Sequence, residues 1–529
     1  MSETEHHLYG PPGTGKTTWI AEKAAECAER FGGDQVSLCS LTNTAIKEVI
    51  SRRIEIPAEN ISTLHKRCKI SLAAGKPAER YVREFIKDNP GWASTDGCTP
   101  CLPVRMVENG TIPDENNPSE TLVSGGSLSL YEQSQILRQR LIPRDRWPNM
   151  VRQFSDAWEG WCRSTGKMDF TGWLEISIQA KSLPPQQVIF VDEAQDHTPL
   201  QLAAIRAWDA RTVVLVGDDD QCLYEWSGSI PSEFFGKNLT GREVVLEQSY
   251  RVPRAVHRWA SRFAKRINHR KDKVYMPRDF EGSVQLLDYS ISDSRYDGIL
   301  PSSLLQNPDE TYMIIAACGY MLDPIMECLK ARGIPFYNPY RKTQYKWNPL
   351  TIPGERLEIF LRKDRLWTGA EAFRWGELLR SHDVYKPGKK QEFLSLCAKR
   401  GSQLLLAEDL SNHFLDESLE MIMKRDMKII KNHRQATGFP GAWDYAIDVF
   451  SKSAEERKPR LTIGTIHSVK GGEADNVYLI PDLSPSGTDE YMGSESDRIH
   501  RLFYVGITRA KKNLFLCSQS RAYYAINWE

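Results

Sequence analysis

Eight residues near the N-terminus, Gly10-Pro11-Pro12-Gly13-Thr14-Gly15-Lys16-Thr17, satisfy the spacing G-x-x-x-x-G-K-[ST] without a mismatch. The glycines let the backbone curl so that successive N–H groups converge on an anion. Lys16 is then placed to reach the β- and γ-phosphates of a triphosphate, and the Thr17 hydroxyl to sit on Mg²⁺. A second pair of chemical groups, Asp192-Glu193, follows the apolar run Val188-Ile189-Phe190-Val191. Such a run entering two acids reads as a central parallel strand with carboxylates at its C-terminal end, where open α/β sheets hold ligands. There Asp192 would hold Mg²⁺ through its water shell, and Glu193 would orient and activate an attacking water. Adjacent acids alone are usually solvated; a buried strand behind them and a phosphate loop upstream favour chemistry.

The elements that must position these groups follow an α/β pattern. Leu8-Tyr9 leads into the loop as a strand, and Thr18–Arg30 reads as a helix whose N-terminus faces the anion. Val36–Leu41 alternates like a buried strand ended by Leu41-Thr42-Asn43-Thr44, and Ala45–Arg53 reads as a helix. Ile61–His65 is a second short strand end. From about 67 to 185 the character changes to helical pieces, such as Tyr131–Arg140 and Met150–Ser164, joined by Gly/Pro/Asn/Ser-rich connectors. The five tryptophans there (Trp92, Trp147, Trp158, Trp161, Trp173) are most simply core packing. The α/β pattern resumes at Val188 and continues through Thr212–Val216, which ends in Gly217-Asp218-Asp219-Asp220-Gln221. Val244–Leu246 and Thr311–Ala317, a helix near Pro324–Arg332, and strands at Leu461–Ile466 and Val477–Ile480 follow. The helix-like Arg498–Lys511 precedes a last strand, Asn513–Cys517, and residues 340–455 form a second helical, charged insertion. The expected architecture is α/β: two nucleotide-fold parallel-sheet domains, each interrupted by a mainly helical insertion.

The bulk composition narrows the function. A chain of 529 residues suggests three or four domains. Lys+Arg and Asp+Glu both total 69, so any nucleic-acid site must be a local groove rather than a basic body. Eleven scattered cysteines fit a reducing compartment, and Cys98-Thr99-Pro100-Cys101 lacks a second pair at zinc spacing. With no apolar N-terminal leader and no long apolar run, the expected location is the cytoplasm, without membrane contact.

The ordered set of motifs resembles the superfamily 1A helicases of the UvrD/Rep/PcrA kind. The matching stretches are GPPGTGKT (10–17), LTNTAIKEV (41–49), STLH (62–65), VDEAQD (191–196), VGDDDQCLYEWSG (216–228), LEQSYR (246–251), TIHSVKGGEADNV (465–477) and YVGITRAKKNL (504–514). The resemblance implies two RecA-like domains: the first in residues 1–66 and 186–240, the second in 241–339 and 456–529. Insertions would occupy 67–185 and 340–455. It implies a nucleotide site formed by Gly10, Pro11, Pro12, Gly13, Thr14, Gly15, Lys16, Thr17 and Thr18. Thr17 and Asp192 would serve Mg²⁺, and Gln221 would sense the γ-phosphate. Arg251 and Arg509, from the second α/β domain, match two arginine fingers that neutralise charge on the transferred phosphoryl. Tyr250 resembles the residue that stacks on adenine, and Glu473 the carboxylate that accepts a hydrogen bond from the ribose. Tyr224 and Trp226 match aromatics that stack on bases of single-stranded DNA, a sequence-blind contact worth about 1–3 kcal/mol per base. Thr42, Asn43, Thr63, His65 and His467 match polar contacts to the sugar-phosphate backbone.

Four departures qualify the match. The loop begins at residue 10, without room for the upstream glutamine motif, so Tyr250 can stack on a base but not identify it. Leu41 stands where a phenylalanine is usual, and Ser227 where an arginine is common. The second insertion is short and shows no G-x-G hairpin signal. The last motif lies close to Glu529, the last residue of the sequence, and an appended nuclease is not expected. The implied activity is an ATP-dependent DNA helicase moving 3′ to 5′ on single-stranded DNA and acting at single-strand/duplex junctions, with ATP bridging the two domains. The competing readings are a DNA-stimulated ATPase that needs a protein partner in a repair, replication or defence complex, a non-hydrolysing nucleotide-gated binding module, and action on RNA.

Overall fold

The computed structural model describes all residues except 1–3, 41–54, 93–127, 181–185, 235–239, 289–306, 308, 342, 343, 345, 436–439, 454, 521–523 and 529. The chain forms two compact units, residues 1–284 with 484–512, and residues 285–483 with 513–529.

The first unit is built on a sheet of strands β1 (Thr4–Tyr9), β2 (Val36–Ser40), β3 (Ile61–Thr63), β4 (Val188–Val191), β5 (Thr212–Gly217) and β6 (Glu243–Val245). Their order is β3-β2-β4-β5-β1-β6, and all the pairings are parallel. A sheet covered on both faces needs apolar side chains in both directions, which is why β4 and β5 read as unbroken apolar runs. Val188, Phe190, Val214 and Val216 point to one side with Leu8, Leu38 and the Ile20, Ala24 and Ala28 of helix Lys16–Phe31. Ile189, Val191, Val213 and Leu215 point to the other, against Leu64, Trp173, Leu200 and Ile205. Each such side chain contributes roughly 1.5–3 kcal/mol when fully buried.

Among the described residues, the insertion after β3 is helical, as expected: Leu64–Ser71, Val82–Asp88, Leu130–Gln139, Asn149–Ser164 and Phe170–Ala180. All five tryptophans pack into cores. Trp147, Trp158 and Trp161 are buried with Phe85 and Phe154, Trp92 packs on that cluster, and Trp173 sits under the sheet. Ile61–His65 is not a strand throughout. It turns helical at Leu64, because the Thr63 hydroxyl accepts the Lys66 N–H and caps the helix.

Strand β6 joins this first sheet through β1, so the sheet extends past the boundary expected at residue 240. Next come a parallel ribbon of β7 (Gln248–Pro253) and β8 (Met276–Arg278) and helices Arg254–Ala264 and Ser496–Ile507, all within the first unit. The last helix stops at Ile507, short of the expected Lys511. The Thr508 hydroxyl folds back onto the carbonyls of Tyr504 and Val505, and the chain becomes strand from Ala510.

The second sheet has the order β11-β12-β10-β13-β14-β9, with β9 at Ser283–Leu286, β10 at Tyr312–Ala316, β11 at Phe336–Tyr337, β12 at Leu461–Thr465, β13 at Ala474–Leu479 and β14 at Ala510–Leu516. Strand β10 is parallel to β12 and β13. Its Tyr312, Ile314 and Ala316 pack with Ile325, Met326 and Leu329 of helix Asp323–Ala331. The described residues between Thr351 and Phe450 form a helical body around Trp367, Trp375, Phe393 and Phe414.

Candidate functional site

The phosphate loop follows β1 directly. Gly10 N–H donates to the Gly217 carbonyl, tying the loop to the end of β5. Thr14 closes a turn through its N–H and hydroxyl, both donating to the Pro11 carbonyl. Gly13 and Gly15 take φ of +72° and +80°, left-handed values that turn the peptide N–H groups inward. A helix of 16 residues starts at Lys16, so its N-terminal partial charge faces the same concavity. The Lys16 side chain lies across Gly10, donating to its carbonyl at 2.8 Å; a Cβ on Gly10 would stand 2.1 Å from Lys16 Cγ. The concavity is therefore lined by main chain with one cation, which suits a polyphosphate.

Asp192 leaves the end of β4, buried, with its N–H on the Cys39 carbonyl at 2.9 Å. Glu193 has φ of +51°, a strained value for a non-glycine residue, supported by its N–H donating to Asp192 Oδ1 at 2.9 Å. A residue not assigned from sequence completes this corner. Gln195 is fully buried, its amide N–H donates to Glu193 Oε2, and its Oε1 accepts the Asp218 N–H at 2.9 Å. A Cβ on Gly217 would lie 2.2 Å from that oxygen, so a side chain there would displace the Gln195 amide from this bond. Thr17 and Asp192 are the hydroxyl and carboxylate that would hold Mg²⁺, an ion satisfied by one or two protein oxygens plus phosphate oxygens and water.

Arg251 and Arg509 both lie in the first unit, rather than in a second domain as expected from sequence. The reason is local pairing. Strand β7 rests on the phosphate loop, with Ser249 Oγ donating to the Pro12 carbonyl at 2.7 Å and Tyr250 N–H to the Gly13 carbonyl at 2.8 Å. The Arg251 Cβ is only 2.4 Å from where a Cβ on Gly13 would be. Tyr250 presents its ring to solvent, 71 % exposed. Arg509 is 1 % exposed, with Nη2 donating to Gln221 Oε1 at 2.9 Å and Nε to the Val505 carbonyl. Gln221 in turn donates to Asp218 Oδ2 at 2.7 Å. Gln195, Asp218, Gln221 and Arg509 thus form one chain of hydrogen bonds leading from Glu193.

Asp218, Asp219 and Asp220 are all buried, and no local pattern in the chain points to the cations that balance them. Lys273 Nζ reaches all three, at 3.0 Å to Asp218 and to Asp220 and in closer contact with Asp219. Burial works against the Lys273 charge, but the three carboxylates outweigh it and hold its pKa above the ordinary lysine value. Arg270 grips Asp220 with two bonds, of 2.8 and 2.6 Å.

Tyr224 and Trp226 follow on a short turn, both half-buried, with ring centroids 6.1 Å apart. They do not alternate along a strand. Ser227 donates its hydroxyl to the Tyr224 carbonyl. Thr63 and His65 are buried, Thr63 as a helix cap and His65 edge-on to Phe170, so neither offers its side chain to a strand. Desolvation lowers the His65 pKa to about 4, and that of the neighbouring His197 likewise. His467 and Glu473 belong to the second unit, half-buried on a short turn and exposed, respectively. Leu41, Thr42, Asn43, the Ala45–Arg53 helix and the Cys98/Cys101 pair lie outside the described residues.

A phosphate loop on a parallel sheet, an acid pair at the end of β4, one strand removed from β1 across β5, and arginines on the same corner define a P-loop nucleotide-binding α/β protein. Two families match it: AAA domain over residues 1–227, and UvrD-like helicase C-terminal domain over residues 444–521. Among curated proteins it is similar to ATP-dependent DNA helicase PcrA of Bacillus subtilis, 33 % identical over 62 % of this chain and 54 % of that protein. It is also similar to ATP-dependent DNA helicase Rep of Buchnera aphidicola, 22 % identical over 95 % of this chain and 88 % of that one. The matched models and these relatives together support a UvrD/Rep/PcrA-like helicase. No helix among the described residues is long and apolar enough to cross a membrane.

Proposed function

We propose that this chain is an ATP-dependent DNA helicase that translocates 3′ to 5′ on single-stranded DNA. The observation that carries the reading is the continuous hydrogen-bonded path from Glu193 through Gln195 and Asp218 to Gln221, three residues before Tyr224, and on to Arg509. A nucleotide held by Gly10–Thr18 would meet Lys16 at its terminal phosphates, and Thr17 with Asp192 would hold Mg²⁺. The ion supplies charge neutralisation at the phosphates when bound. Glu193 would accept the proton of the attacking water, with Gln195 fixing its carboxylate. Arg251, seated over the loop, and Arg509, behind Gln221, would offset the negative charge that develops at the γ-phosphoryl. The exposed Tyr250 ring gives a base a stacking surface, and Glu473 would accept from the ribose.

Tyr224 and Trp226 would stack on bases without reading them, which suits a motor that must pass every sequence. His467, Thr42 and Asn43 would add contacts to the sugar-phosphate backbone. The relatives named as DNA helicases support the activity, and the VKGGE and YVGITRAK stretches support the 3′-to-5′ direction.

The test is strand displacement on duplexes carrying a 3′ or a 5′ single-stranded tail, with ATP and a Lys16→Ala control. Unwinding from the 3′ tail alone is expected, and Lys16→Ala is expected to abolish hydrolysis while leaving strand binding measurable. Unwinding from the 5′ tail alone overturns the direction. Strand-stimulated hydrolysis without unwinding moves the assignment to a translocase that needs a partner. Full hydrolysis by Lys16→Ala overturns the site.

A further inference from the structure

The helix Ser496–Ile507 holds the segment from Asp218 to Glu225 at two points, and only one involves a residue already given a role. Arg509, just past its C-terminus, bonds Gln221. Arg501, about two turns earlier, is almost fully buried and spreads its guanidinium over three acceptors, two within that segment and one at His269. Its Nε donates to the Asp219 carbonyl at 3.0 Å, its Nη1 to Glu225 Oε1 at 2.8 Å, and its Nη2 to the His269 carbonyl. Glu225 opens the short turn that carries Trp226, directly after Tyr224. The same turn is held from the helical insertion, where Arg140 Nη2 donates to the Glu225 carbonyl at 2.8 Å. The aromatic pair therefore sits on a turn whose side chain and main chain are fixed by different arginines.

We propose that Arg501 is a positioning residue that couples Tyr224 and Trp226 to the helix bearing Arg509, so that a bound DNA strand accelerates ATP hydrolysis. The inference rests on the helicase reading above. A displacement of the Glu225 turn by a stacked base would pull on Arg501. The rigid helix would pass that shift to Arg509 and to its Gln221 partner. A planar, five-donor fork can span these acceptors; a lysine ammonium on a flexible stem cannot reach all three in one pose.

The experiment measures ATP hydrolysis by the full chain against increasing oligo(dT), for the parent, Arg501→Lys, Glu225→Ala and the double variant. Arg501→Lys is expected to cut the maximal strand stimulation roughly tenfold, within the range of couplings between contacting residues, and to raise the half-stimulating strand concentration. Glu225→Ala should act in the same direction, and the double variant should be no worse than Arg501→Lys. Equal loss of the unstimulated and stimulated rates at an unchanged half-stimulating concentration overturns the coupling role, because a merely structural residue gives that pattern. Should Arg501→Lys melt at the assay temperature, Glu225→Ala decides the matter: undiminished stimulation overturns the proposal. A parent chain whose hydrolysis ignores the strand overturns the helicase reading together with this inference, and is told apart because the parent itself shows it.

Discussion

Gly13 is the position where nucleotide binding and the packing of β7 meet, and Gly13→Ala measures that meeting. The residue has φ of +72°, which costs an alanine about 1–2 kcal/mol. Its Cβ would also stand 2.4 Å from Arg251 Cβ and 2.9 Å from Ser249 Oγ, distances that real carbon contacts do not reach. Relief requires β7 to move off the loop, loosening the Ser249-to-Pro12 and Tyr250-to-Gly13 hydrogen bonds, each worth about 1 kcal/mol. Gly15→Ala is the control, since Gly15 has φ of +80° but its nearest neighbour would be Thr18 Cβ at 3.9 Å. The difference between the two variants is therefore about 2 kcal/mol, or roughly 30-fold in affinity. Titration of each variant with a fluorescent ATP analogue reads that ratio, and thermal melting confirms that both are folded. If Gly13→Ala binds as tightly as Gly15→Ala, β7 does not press on the loop as described, and the placement of Arg251 beside the phosphates falls with it.

Three further outcomes follow from the same geometry. Gln195→Ala should lower the hydrolysis rate by one to two orders of magnitude, because Glu193 loses its donor and the buried Asp218 N–H loses its acceptor, a defect of about 1–3 kcal/mol; steady-state turnover at saturating ATP reads it, and parent-like turnover refutes the role. Lys273→Met should destabilise the first unit by about 3–5 kcal/mol in urea titrations, since three buried aspartates lose a shared cation; a shift below 1 kcal/mol would contradict the buried network. His65 and His197 both have folded pKa values depressed to about 4, so the unfolded chain binds their protons more readily. Stability should be insensitive to these two groups above pH 6.5 and should fall as pH drops from about 6.5 toward 4, by roughly 1–3 kcal/mol per histidine at pH 5. Melting curves across that window, with His65→Gln and His197→Gln flattening the slope, check the sign.

The sequence by itself determined the chemical groups and their local frames. The spacing of Gly10–Thr17 and the apolar runs before Asp192 and Gly217 are short-range signals, since a loop needs its glycines and a doubly covered strand needs both faces apolar. For the same reason the tryptophans of the first insertion were readable as core. What only the tertiary structure decided is which distant residues meet. Strand β7 follows β6 by two residues, yet one pairs with β1 and the other lies on the phosphate loop, so a boundary at residue 240 divides elements that packing holds together. The cations over Asp218–Asp220 come from Arg270 and Lys273, whose spacing has no period and whose partners are set only when the chain folds back. Thr63 and His65 show the converse. Their types suit a phosphate contact, but a helix cap and a buried ring use them up. Chemistry at fixed spacing is written along the chain because one stretch of backbone must perform it. Balance of buried charge and the seating of Arg251, Arg501 and Arg509 depend on long-range closure, which local pattern does not encode.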